Sequence, residues 1–151
     1  MLAHLTPAAD LTAPCPKTRN AEVDRAELAW LRVAGARCRV MRRSDLFQAC
    51  AVLSLSGEQA ALAYAQALFR ALPDLLPRGL TLYAPGDSQI SFDEAWLLQL
   101  LTRARAGDHD SLTFLIGRRI PRYARRQVAF LAHGLATARE DGTGDGEKNC
   151  V

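Results

Sequence analysis

The residues best suited to chemistry are five arginines packed into positions 118 to 126 of the stretch "GRRIPRYARRQVAFLA", residues 117–132. They are Arg118, Arg119, Arg122, Arg125 and Arg126, with Tyr123 among them, and no carboxylate follows until Glu140. Guanidinium groups make planar, bidentate contacts with carboxylates and phosphates. The chemistry on offer is therefore anion recognition rather than bond making.

Pro121 suits the first position of a helix, where a missing N–H is harmless. From there, a step of about 100° per residue sets Arg122, Arg125 and Arg126 on one side, joined by Ala129 and His133. Ala124, Val128, Leu131 and Leu135 gather opposite, with Phe130 on the flank. The cations crowd the positive end of this helix's dipole, at a cost on the order of a few tenths of a kcal/mol each when exposed. Three arrangements compensate for that. The arginines pair with acids from the middle of the chain (Glu58, Asp74, Asp87, Asp93, Glu94, Asp108, Asp110), they meet an acidic partner protein, or they grip nucleic-acid phosphates with Tyr123 stacked on a base. A plain solvated helix face explains the same letters.

A second cluster, Arg32, Arg37, Arg39, Arg42 and Arg43, falls within twelve residues that hold no acid. If the two clusters share a face they form one positive patch. Other motifs yield to simpler explanations. "APGDSQ" places Ser88 as the serine of a Gly-Asp-Ser hydrolase turn would, but too little chain follows for that domain and a turn before a capped helix accounts for it. "DHD" at 108–110 offers too few ligands for a metal and reads as a helix cap. A helix-turn-helix over residues 45–72 is disfavoured, because its second helix begins "GEQAALAYAQ", with no basic residue to reach a phosphate. His4, His109 and His133 are scattered, and the four cysteines form no C-x-x-C pair, so no metal site, cofactor or catalytic residue is assigned.

The elements that must position the arginines are helical. Asn20 caps a helix whose apolar stripe is Val23, Ala26, Trp30, Val33 and Ala34, with Gly35 as a stop. Residues 37–41 fit a strand or a continued helix, and Ser44 caps a helix over "DLFQACAVLSL". Ser56 and Gln59 form a capping box for a helix with stripe Ala61, Leu62, Ala65, Leu68, Phe69 and Leu72, ended by Pro73. "LTLY" is a brief extended piece. Ser91 and Glu94 form the clearest capping box, ahead of an apolar helix over 92–106 that is either central in the core or at a subunit contact. Gly107 stops it, Asp108 or Asp110 caps the next helix, and the last runs from Pro121 to about Arg139.

The expectation is a mostly α, single compact bundle of about six helices with at most two short strands. Residues 1–19 form a flexible arm, 20–139 the helical domain and 140–151 a disordered tail. With 151 residues and a formal net charge of +3, composition is ordinary for one globular domain. Only Lys17 and Lys148 are lysines, a bias that codon usage in a GC-rich bacterium explains. No secretory signal or membrane span is read, so a bacterial cytoplasmic location with free thiols is expected. The leading functional reading is a non-enzymatic regulatory or adaptor protein that binds an acidic partner through Arg118, Arg119, Arg122, Tyr123, Arg125 and Arg126, with Arg37, Arg39, Arg42 and Arg43 as a second contribution. Sequence-independent binding of nucleic-acid phosphates through the same arginines is the alternative, and a homodimer through the 92–106 helix is a further expectation.

Overall fold

The computed structural model describes residues 17–40 and 57–144, with side chains over 25–40 and 57–140. Five α-helices run through them: α1 (Lys17–Val40), α2 (Glu58–Leu75), α3 (Phe92–Arg105), α4 (His109–Gly117) and α5 (Arg125–Gly144), with one 3-10 turn at Arg122–Ala124. No strand occurs among the described residues, so the chain is a compact, mostly helical bundle. The helix expected over 45–55, with Ser44, Ser56, Arg42 and Arg43, lies outside them.

Several helix ends differ from expectation for identifiable reasons. α1 starts at Lys17, before Asn20, and continues through Gly35, so residues 37–40 are helical. Gly35 is a point of close approach instead of a stop: a Cβ there would lie 2.5 Å from Leu82 Cδ1. α2 has Gly57 at its cap, with φ of 64° and no side-chain capping bond, in place of the Ser56 box. It runs past Pro73 to Leu75, since a proline in the last turn forfeits only one ladder bond. The 80–83 piece is an extended connection. α5 continues beyond Arg139 to Gly144, making residues 140–144 of the expected tail helical.

The buried side of α1 is also not the expected stripe. Leu28, Leu31 and Ala34 are buried together with Glu27 and Arg32, whereas Ala26 is exposed and Val33 is 40% exposed. Two charged residues on the inner side disguised it.

The remaining capping signals hold. Ser91 Oγ accepts from the Glu94 N–H at 3.1 Å while the Glu94 carboxylate accepts from the Ser91 N–H at 2.9 Å. Gly107 supplies a positive φ of 66° after α3, and Asp108 Oδ1 accepts from the Ser111 N–H at 3.1 Å to open α4. Trp96, Leu97, Leu100, Leu101 and Ala104 of α3 are all buried. Their wide apolar coverage is used inside this chain, where α3 packs against α1, α4 and α5. α5 in turn packs against α2, α3 and α4. Its approach to α2 depends on Gly134, over which the Tyr64 ring lies closer than any Cβ allows. The other edge of Tyr64 meets Phe130 at a centroid distance of 6.1 Å.

The most demanding contact is a buried ion pair. Arg32 is 3% exposed and Glu94 0%. Arg32 Nε donates to Glu94 Oε1 at 2.8 Å and Nη2 to Oε2 at 3.0 Å. The carboxylate also accepts from the Tyr83 N–H at 2.9 Å. The rest of the guanidinium donates to the Asp87 carbonyl at 2.6 Å and to the Gln89 carbonyl. Burial pushes the Glu94 carboxyl up, but Arg32 and the Ser91 and Tyr83 N–H groups outweigh it, so its pKa lies below the ordinary glutamate value. Arg32 is held protonated by the hydrogen bond to Glu94. Around the pair, Asp93 Oδ2 accepts from the Thr81 N–H at 2.7 Å and Ser91 Oγ donates to the Thr81 carbonyl at 2.7 Å. One turn of α3 thus ties down the backbone of residues 81–83.

A carboxyl whose folded pKa is depressed stabilises fully above its unfolded value of about 4.3 and loses that contribution as pH falls through the folded value. Glu94→Gln is therefore expected to cost about 3–5 kcal/mol in urea unfolding at pH 7, and the gap to wild type should narrow below about pH 4. A pH-independent gap would refute the linkage. Gly134→Ala should cost about 1–3 kcal/mol by displacing Tyr64. In a double-mutant cycle, most of that cost should vanish in a Tyr64→Ala background.

Candidate functional site

The arginine run occupies the junction between α4 and α5. α4 ends at Gly117 with Arg118 as its C-cap, and the Ile120 N–H closes back on the Ile116 carbonyl at 2.8 Å. Pro121 sits one step earlier than expected, as the cap of the 3-10 turn Arg122–Ala124 that leads into α5. Ile120 and Ala124 are buried and seat the junction on the core.

The five arginines do not act alike. Arg125, expected on one face with Arg122 and Arg126, turns back: its Nε donates to the Ile120 carbonyl and its Nη2 to the Gly117 carbonyl, both at 3.0 Å. It thereby satisfies carbonyls left open where α4 ends. Arg119 donates through Nη2 to Asp93 Oδ1 at 2.5 Å. Its guanidinium carbon lies 5.0 Å from the Phe92 ring centroid and 4.9 Å from that of Trp96. Such contacts contribute about 0.5–1 kcal/mol or more each. Arg118, Arg122 and Arg126 are exposed and form no ion pair among the described residues; Arg118 lies 5.9 Å from the Phe114 ring.

The unfavourable placement at the start of α5 has a compensation that periodicity alone does not reveal. The start of α5 adjoins the carbonyl end of α4, where positive charge is favoured. Arg118 and Arg125 serve that negative end, and Arg119 uses an acid from the middle of the chain.

What faces outward is three arginines with exposed aromatic rings. Tyr123 is 81% exposed and Phe114 65%, flanking the arginines on α4 and on the turn. Phe92 and Phe130 are exposed as well.

The second cluster divides in the same manner. Arg32 is the buried partner of Glu94, while Arg37 and Arg39 are exposed near the end of α1. Arg39 joins Arg70, Cys38, Phe69 and Leu82 around a cleft of about 190 Å³ between α1 and α2. Arg39 therefore lies against α2, whereas Arg122 and Arg126 lie at the head of α5. Sequence reasoning missed the role of Glu27, which meets Arg105 at 2.9 Å and Arg139 at 3.3 Å while Arg139 covers the Trp30 ring at 4.4 Å. Its burial was signalled only by its spacing, four residues before Leu31 and seven before Ala34.

The "APGDSQ" segment is a turn, with Gly86 at φ of 91° and the Asp87 side chain accepting from the Gln89 N–H at 2.9 Å. Its carbonyls hold Arg32. Cys38 is a free thiol, and among the described residues no group of three or more metal-ligating side chains occurs. No helix among them is long and apolar enough to cross a membrane.

Arg125→Ala should lower stability by about 1–3 kcal/mol, because two partly buried carbonyls lose their donor. Arg122→Ala and Arg126→Ala should each stay within about 0.5 kcal/mol of wild type. Equal melting temperatures for all three variants would contradict the division. Comparison with known proteins finds no matching family model, no matching curated protein and no matching solved structure for this chain.

Proposed function

We propose that the chain is a non-enzymatic adaptor or regulator that docks an acidic segment of a partner protein on Arg118, Arg122 and Arg126. The observation that carries this reading is that these three guanidinium groups stand exposed without carboxylate partners among the described residues, in a stretch that also exposes the ring of Tyr123. Their backbone belongs to a junction fixed by Ile120, Ala124 and the Arg125 cap, so the charges are held in place before a partner arrives. Phe114 and Tyr123 add apolar area of the kind that anchors protein contacts.

Magnitude favours a compact acidic segment over nucleic acid. Three cations neutralise about three phosphates, a salt slope near −3 at most, whereas firm DNA binders make about 6–10 such contacts. Arg37 and Arg39 add to a nucleic-acid footprint only by reaching from α1, and Arg32 is withdrawn into the core.

The test is the double charge reversal Arg122→Glu with Arg126→Glu. Acids at the start of α5 suit its dipole, so the melting temperature should hold or rise. A fluorescent peptide of eight alternating Asp and Glu residues should bind wild type at low salt and lose about tenfold or more in affinity to the variant. A single-stranded DNA 20-mer that binds wild type more tightly than the peptide, and loses affinity in the same variant, would replace this reading with the nucleic-acid one. Equal peptide affinity in wild type and variant would refute it.

A further inference from the structure

The fold brings together two histidines that stand far apart in the sequence. His109 is the first residue of α4 and exposed; His133 is half-buried in the middle of α5. Their ring centroids are 5.3 Å apart, with the planes inclined at 49°. The separation lies in the ordinary range of an aromatic contact, and it also suits a ligand shared by the two rings. Two imidazole nitrogens on one tetrahedral zinc, each at about 2.0–2.1 Å, place their ring centroids about 5 Å apart.

We infer that His109 and His133 form a two-histidine site for a divalent transition ion, zinc or nickel, bridging α4 to α5. Imidazole suits these metals. The acids on either side of His109 in the chain do not complete the shell. Asp108 Oδ1 is engaged by the Ser111 N–H and its Oδ2 faces Arg103 at 3.5 Å, and Asp110 lies with Gln99, Arg103 and Phe114 around a separate cleft between α3 and α4. Two protein ligands leave positions for water, so the ion is exchangeable and open to an outside ligand. This site is independent of the arginine surface: it concerns the opposite end of α4 from Arg118.

The consequence is mechanical as well as chemical. α4 is short, and its C-terminal end is already tied to α5 by Arg125. A metal at His109 and His133 would tie its N-terminal end to the same helix, so binding stabilises the folded state over the unfolded one.

The experiment melts the full-length chain in EDTA, in excess zinc chloride and in excess nickel chloride. Wild type should gain a few degrees in either metal, and calorimetric titration should give one ion per chain. His109→Gln and His133→Gln keep side-chain bulk without the imidazole. Each should melt like wild type in EDTA and lose the gain in metal, while Cys38→Ser should retain it. Absence of a gain in wild type, or a gain that survives in the His109→Gln, His133→Gln double variant, overturns the site. Should His133→Gln melt lower in EDTA, His109→Gln at the exposed position decides alone.

Discussion

The structure depends on one buried charge being answered. Arg32 and Glu94 come from positions 62 apart in sequence and meet where the described core is fully closed to water. Isolated, either ion is prohibitively costly there. Together they consume each other's hydrogen-bonding capacity along with the Asp87 and Gln89 carbonyls and the Ser91 and Tyr83 N–H groups. Helix α1, the 81–91 connection and the first turn of α3 are therefore not free to settle independently. Once Glu94 is placed, Ser91 and Asp93 lie where they can hold Thr81, and Asp93 presents its other oxygen to Arg119. The order of the arginine surface descends by this route from the core.

Helix dipoles govern the surface itself. A run of arginines is disfavoured at a helix start and favoured at a helix end, and the α4–α5 junction is both at once. The short connection lets one segment of sequence serve two helices with opposite demands. Arg125 serves the helix that precedes it, Arg119 reaches sideways to α3, and Arg122, on the 3-10 turn, and Arg126, in the first turn of α5, are exposed.

What was legible in the sequence was what is local. The Ser91–Glu94 box, the Asp108 cap and the Gly107 stop each involve groups within a few residues, and each forms as the spacing implies. The apolar sides of α2, of α5 and of α3 beyond its first turn follow helical periodicity because their inward positions are uniformly apolar. α1 broke that rule: Glu27 and Arg32 belong to its inner side, and their partners Arg105, Arg139 and Glu94 are remote in sequence. Gly35 has the letter of a stop but the position of a contact, since Leu82 comes from another part of the chain. Arg125 shares its periodicity with Arg122 and Arg126, and only its long side chain bending back to Gly117 distinguishes it. The pairing of His109 with His133 is likewise set by how α4 folds back along α5, which no spacing encodes.

The Arg125 cap also fixes the length of the chain around it. Its guanidinium spans from α5 to the Ile120 and Gly117 carbonyls, so the number of residues between them is part of the geometry. One residue inserted between Pro121 and Arg125 would rotate everything after it by about 100° relative to α4, carrying Val128 away from the core and bringing Gln127 into its place. Side chains at 122, 123 and 126 can change freely as far as folding is concerned; the count of residues cannot. The surface is thus open to drift in chemistry while being closed to insertion and deletion, a combination that lets the exposed side chains change over time without any change in the scaffold that presents them.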